Sequence, residues 1–136
     1  MTKLTRAAQP TEHAEQVAVI NWCFYMLSKY PELDLIHAIA NGAMLGGGKI
    51  GAIRMNSLKA EGLRPGVLDL YLPCARGGAF GLYIEMKTKA GKLSDNQKEF
   101  IRNVEKEGYV CFVAYGADEA IDFLEKYLAQ PRTKVV

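Results

Sequence analysis

A chain of 136 residues, 49% hydrophobic and 24% charged, has the size and balance of one ordinary globular domain and excludes a disordered or fibrous protein. The formal charge of +2 is small but unevenly spread. Between Lys49 and Lys92 eight Lys or Arg stand against Glu61, Asp69 and Glu85, a local excess of five positive charges suited either to phosphate contacts or to a solvated basic face.

The longest apolar stretch, Val17 to Leu27, is broken by Asn21 and falls short of the roughly 20 residues of a membrane span. No secretory leader is legible in Met1 to Pro10, so the expected compartment is the cytoplasm. Cys23, Cys74 and Cys111 are odd in number and widely spaced, as free buried thiols are. Without a Cys-x-x-Cys pair, and with His13 and His37 far apart, any metal is expected on oxygen ligands.

In chain order, Thr11 caps a first helix running to about Ser28, with apolar residues on most faces and therefore expected to be largely buried; Pro31 closes it. Leu35 to Ala40 suits a short strand, and Asn41-Gly42 a turn that opens a glycine-rich stretch to Gly51. A short helix follows from Ile50 to Ala60, with Ile50, Ile53 and Leu58 roughly on one side and Gly62 at its C-terminal cap. Pro65-Gly66 turns into a strand, Val67 to Leu72, and Arg76-Gly77-Gly78 turns the chain into an antiparallel partner, Phe80 to Lys87.

Ser94 opens a third helix to about Glu107, stopped by Gly108; Tyr109 to Tyr115 is an apolar strand and Ala117 to Ala129 an amphipathic helix. The ends, residues 1–10 and 131–136, are expected to be flexible. The strand-helix-strand connection places the last two strands in parallel. An α/β fold is expected, a small mixed central sheet flanked by helices in the order α-β-(α)-β-β-α-β-α, as one domain over residues 1–136.

Alternation along a strand sets Glu85 and Lys87 on one face and Ile84 and Met86 on the other. Asp69, between Leu68 and Leu70, becomes a neighbour of Glu85, and a carboxylate in so apolar a strand needs a partner or a metal. Two carboxylates from adjacent strands suit Mg²⁺ or Mn²⁺, with a phosphate completing the shell and Lys87 offsetting charge on it, which is phosphodiester-hydrolysis chemistry. A surface ion pair of Glu85 and Lys87, joined by Asp69, is the commoner arrangement of such residues, and spacing alone does not displace it.

Context is supplied by three runs: Leu58-Lys59-Ala60-Glu61-Gly62-Leu63-Arg64-Pro65-Gly66-Val67-Leu68-Asp69-Leu70, Gly81-Leu82-Tyr83-Ile84-Glu85-Met86-Lys87 and Gly91-Lys92-Leu93-Ser94-Asp95-Asn96-Gln97. In order and spacing they resemble the virus-type replication-repair nuclease (VRR-NUC) family of the PD-(D/E)XK superfamily. The resemblance implies a restriction-endonuclease-like core and a metal held by Asp69, Glu85 and the backbone carbonyl of Met86, with Lys87 as catalytic lysine. Leu68 stands where the superfamily name places proline, a residue that shapes backbone without supplying a chemical group. The resemblance further implies a first-helix glutamate, for which Glu12 and Glu15 compete; either also suits the dipole of a first helical turn. Gln97 is a candidate for the same site, with a structural rival in the capping box Ser94-Asp95-Asn96-Gln97.

Arg64, Lys89, Lys92 and Lys49 are candidate nucleic-acid contacts, with solvated charge as the alternative; Tyr71 and Tyr83 fit packing better than base stacking. Gly46-Gly47-Gly48-Lys49 is no phosphate-binding loop, since Ala43 and Ile50 stand where Gly and Ser or Thr are required, so no nucleotide cofactor is expected. By family analogy the expected partners are DNA, branched as in four-way (Holliday) junctions, and a second copy in a homodimer, in a bacterial or phage-infected cell. A non-catalytic nucleic-acid-binding protein using the basic middle segment is the alternative.

Overall fold

The computed structural model describes residues 10–40 and 46–135. Helix α1, Glu12–Tyr25, starts where the Thr11 hydroxyl accepts the Ala14 N–H at 3.1 Å. A 3₁₀ turn at Pro31–Leu35 leads to the two-residue strand β1, His37–Ala38. Helix α2 (Gly48–Ala60) is followed by β2 (Leu70–Leu72), β3 (Leu82–Lys87), α3 (Asp95–Lys106), β4 (Val110–Tyr115) and α4 (Ala117–Leu128). The expected turn at Asn41-Gly42 lies outside the described residues, as do residues 1–9.

The four strands form one mixed sheet in the order β1-β2-β3-β4, flanked by the four helices. β1 and β3 run antiparallel to β2, and β4 parallel to β3 across the α3 crossover. Leu70, Leu72, Leu82, Ile84, Met86 and Ala114, alternate residues of their strands, supply one buried face. Val19 and Cys23 of α1 and Ala120, Leu124 and Tyr127 of α4 pack on it, and Phe112 stacks on Phe123 at 4.0 Å. The other face carries Tyr71 and Tyr83, with rings stacked at 4.5 Å, and Tyr83 meets Phe100 of α3 edge-on at 5.2 Å. These tyrosines pack.

Four expectations are corrected. First, α1 is not largely buried: Phe24 is 74% and Tyr25 82% exposed, because the sheet and α4 cover only the face bearing Val19 and Cys23. Secondly, the apolar side read for α2 faces inward only in part, with Leu58 half-buried. Gly51 is its one buried residue, whereas Ile50 and Ile53 are exposed. Thirdly, the strand expected over Leu35 to Ala40 shrinks to His37–Ala38, because Pro31–Leu35 is spent on the 3₁₀ turn. Fourthly, the strand expected over Val67 to Leu72 shrinks to Leu70–Leu72, with Asp69 in the bend just before it. In the C-terminal tail, Gly77 N–H donates to Pro131 O at 2.8 Å, Thr133 N–H to Ala75 O at 3.2 Å, and the Thr133 hydroxyl to Ala79 O. Among the described residues no helix is long and apolar enough to cross a membrane.

Candidate active site

Antiparallel register decides which side chains meet. Leu70 pairs with Ile84, which brings Asp69 level with Glu85, and the Met86 N–H donates to Asp69 Oδ2 at 2.9 Å. Lys87, two residues on, shares the Glu85 face, and its Nζ lies 3.7 Å from Glu85 Oε2. The three residues line an open cleft of about 370 Å³. Its other walls come from Glu12 of α1, the stretch from Met55 to Val67, and the α3 start at Ser94 and Gln97.

This is no surface ion pair. Glu85 is 2% exposed, and its carboxyl is pushed up to about 8, first by burial and then by the negative charge of Asp69, with Lys87 opposing both. Gln97 Nε2 donates to Glu85 Oε2 at 2.8 Å, leaving Glu85 Oε1 buried without a hydrogen-bond partner. A single buried oxygen without a donor costs about 1–3 kcal/mol, more when charged, and in a native fold such an atom calls for an explanation.

Gln97 does not have to choose between its two expected roles. Its Oε1 accepts the Ser94 N–H at 2.9 Å and the Ser94 hydroxyl accepts the Gln97 N–H at 3.1 Å, which completes the capping box. The opposite end of the same amide reaches Glu85. The cap thus orients the group that grips the carboxylate.

The two first-helix glutamates separate. Glu12 lines the cleft. Glu15 accepts the Ala117 N–H at the start of α4, beside Gly116, so as an alternative to Glu12 it is already engaged as an inter-helix cap. Of the basic candidates Arg64 lines the cleft; Lys89 lines an adjoining hollow with Lys87, Thr88 and Tyr115. Lys49 and Lys92 are exposed and line neither. Lys59, in the last turn of α2, does line the cleft; a basic residue near a helix C-terminus is so ordinary that nothing in the sequence singled it out.

The donor set fits a hard divalent cation. Among the described residues no group of three His, Cys, Asp or Glu converges on one point. Mg²⁺ and Mn²⁺ suit one or two carboxylates plus water and substrate phosphate, and the partnerless Glu85 Oε1 beside Asp69 is what such an ion would satisfy.

A mixed sheet brings an Asp and a Glu-x-Lys pair to the rim of one cleft. The VRR-NUC domain family profile matches residues 47–118, more than half of the chain and all of the segment carrying Asp69, Glu85, Lys87 and Gln97. The chain belongs to the VRR-NUC family, which places it in the nuclease class. A solved structure described as a VRR_NUC domain protein is 28% identical, covering 94% of this chain and 99% of that one with a TM-score of 0.76. A comparison with curated proteins finds no match.

Proposed function

We propose that the protein is a metal-dependent DNA endonuclease acting with Mg²⁺ or Mn²⁺, its site built from Asp69, Glu85 and Lys87 with Glu12 and Gln97 in support. One observation carries this reading: Glu85 is buried in the cleft wall beside a second carboxylate, Asp69, with one oxygen that no N–H or hydroxyl donor reaches. Asp69 and Glu85, with the Met86 carbonyl, would hold the ion. When bound, it supplies Lewis acidity toward the phosphate and the water that attacks it.

The chain's own groups do the rest. The Met86 N–H and the Gln97 amide fix the two carboxylates before any ligand arrives, so little reorganisation remains on binding. Lys87, its side chain only 12% exposed, presents an ammonium where attack on phosphorus would build negative charge, and there it offsets that charge or orients the nucleophile. Glu12 at the cleft wall is a further acceptor for a nucleophilic water. Arg64 steers the strand.

We read the chain as one nuclease domain of the cytoplasm, working as a two-fold dimer on branched DNA such as four-way junctions. The test uses purified protein with labelled junctions, flaps, duplex and single strands, in Mg²⁺, Mn²⁺ or chelator. Metal-dependent cutting that disappears in Asp69→Asn and Lys87→Ala while DNA binding persists supports the proposal. Binding without cutting under every metal moves the chain to the non-catalytic class, and a monomeric mass by light scattering removes the dimer.

A further inference from the structure

Lys59 and the turn that follows it belong to no part of the chemistry above, yet their geometry is specific. Gly62 N–H donates to Lys59 O at 3.1 Å and Leu63 N–H to Leu58 O at 2.8 Å, a pair of bonds that closes α2 and reverses the chain. Gly62 adopts φ +114° there, a conformation costly for any residue with a Cβ. Four residues on, Gly66 at φ +90° lies so close to the α3 start that a Cβ would strike the Asn96 backbone carbonyl. The span from Lys59 to Gly66 is thereby clamped at both ends, and Lys59 and Arg64 both line the cleft.

The cleft, about 370 Å³ in volume, extends from the carboxylates to the turn that follows α2. Lys87 lies beside the carboxylates, and Lys59 and Arg64, both exposed, are two further cations lining the same cleft. Helix α2 itself carries no acidic residue, while Glu61 caps it and Glu12 lines the same cleft.

We propose that Lys59 and Arg64, pre-set by the Gly62 and Gly66 turns, form a clamp for a non-scissile phosphate adjacent to the bond that is cut. The proposal rests on the nuclease reading for the direction of the strand. Lys59 acts as a positioning residue: it selects a continuous phosphodiester backbone without reading bases, since phosphate contacts fix register and carry no sequence information. A terminal nucleotide lacking that second phosphate is then a poor substrate.

The test has two arms, with wild type, Lys59→Ala, Arg64→Ala and Gly62→Ala. In the first, cleavage is followed on a set of DNAs carrying one uncharged methylphosphonate linkage walked past the cut site. Lys59→Ala is expected to raise KM about tenfold with kcat within a factor of two, and that penalty is expected to vanish on the one substrate whose neutral linkage falls at the clamp. Gly62→Ala is expected to raise KM in the same direction, because it loosens the turn without removing a charge. In the second arm, the salt dependence of DNA binding is measured in chelator: losing one phosphate contact lowers the log-log slope by roughly 1. A Lys59→Ala penalty of equal size on every linkage, or an unchanged salt slope, overturns the clamp. A wild type that cuts nothing refutes the nuclease reading instead, and the salt slope still decides the clamp. Thermal midpoints of Lys59→Ala and wild type are expected to coincide; a fall in midpoint with no change of slope assigns Lys59 to the helix alone and also overturns it.

Discussion

Two charged residues are buried among those described, Arg76 and Glu85, and the fold treats them in opposite ways. Arg76 sits where the C-terminal tail returns to the sheet, and its guanidinium reaches Glu32 at 3.2 Å and the Ala75 carbonyl at 2.9 Å. Arg132 pairs with it across a β-bridge, and nearby the Tyr127 hydroxyl donates to Cys74 O. Glu85, at the cleft, has Lys87 and the Gln97 amide on one oxygen, but a like charge beside it and no N–H or hydroxyl donor on the other. Buried charge that is fully matched is structural; buried charge matched on one oxygen only, beside a like charge, is a candidate place for something else to bind.

The comparison is broken most sharply by exchanging the effects of the two residues. Glu85→Gln and Lys87→Ala are each expected to lower kcat on DNA by on the order of 10³ while leaving the fold intact, checked by cleavage rates beside thermal melts. Arg76→Ala is expected to do the reverse, costing about 3 kcal/mol in a denaturant titration because it strands Glu32, with specific activity of the folded fraction unchanged. Equal activity losses in both variants would erase the distinction.

Gln97 allows a smaller separation of the same kind. Gln97→Ala removes both the cap and the grip on Glu85, and about a tenfold loss of activity is expected along with about 1 kcal/mol of stability. Ser94→Ala removes one cap bond but leaves the Gln97–Glu85 contact, so its loss of stability should be similar and its loss of activity slight. Matching activity losses would show that the cap, and not the grip, is what matters.

The smallest effect is a pH trend. Folded Glu85 holds its proton to about pH 8, whereas the unfolded chain releases it near 4.5, so in between the folded state binds more protons. Metal-free stability should therefore fall as pH rises from about 4.5 to about 8, and Glu85→Gln should flatten the trend. Melts across that range check it; a rise over the same window contradicts the assignment.

Much of the site was legible because it is local. Alternation in Tyr83-Ile84-Glu85-Met86-Lys87 set which charges share a face, and the short turn at Arg76-Gly77-Gly78 brought Asp69 opposite Glu85. What escaped depends on contacts distant in sequence. Glu15 meets Ala117 across 102 positions, and nothing near either residue announces it. The outward turn of Ile50 and Ile53 follows from Gly51 packing inward, a choice that helical periodicity leaves open. Gln97 was posed as a choice between cap and site because a sequence letter does not show that the two ends of one amide can serve both.

The central claim, that Glu85 is held ready for a cation, is tested most directly by calorimetric titration of Mn²⁺ at pH 7 in two buffers of different ionisation enthalpy. Wild type is expected to bind the ion with release of about one proton, since a carboxyl raised to about 8 is largely protonated there, and Glu85→Gln is expected to lose both the binding and the proton. No binding by wild type, or the same affinity and proton count in Glu85→Gln, would contradict the account.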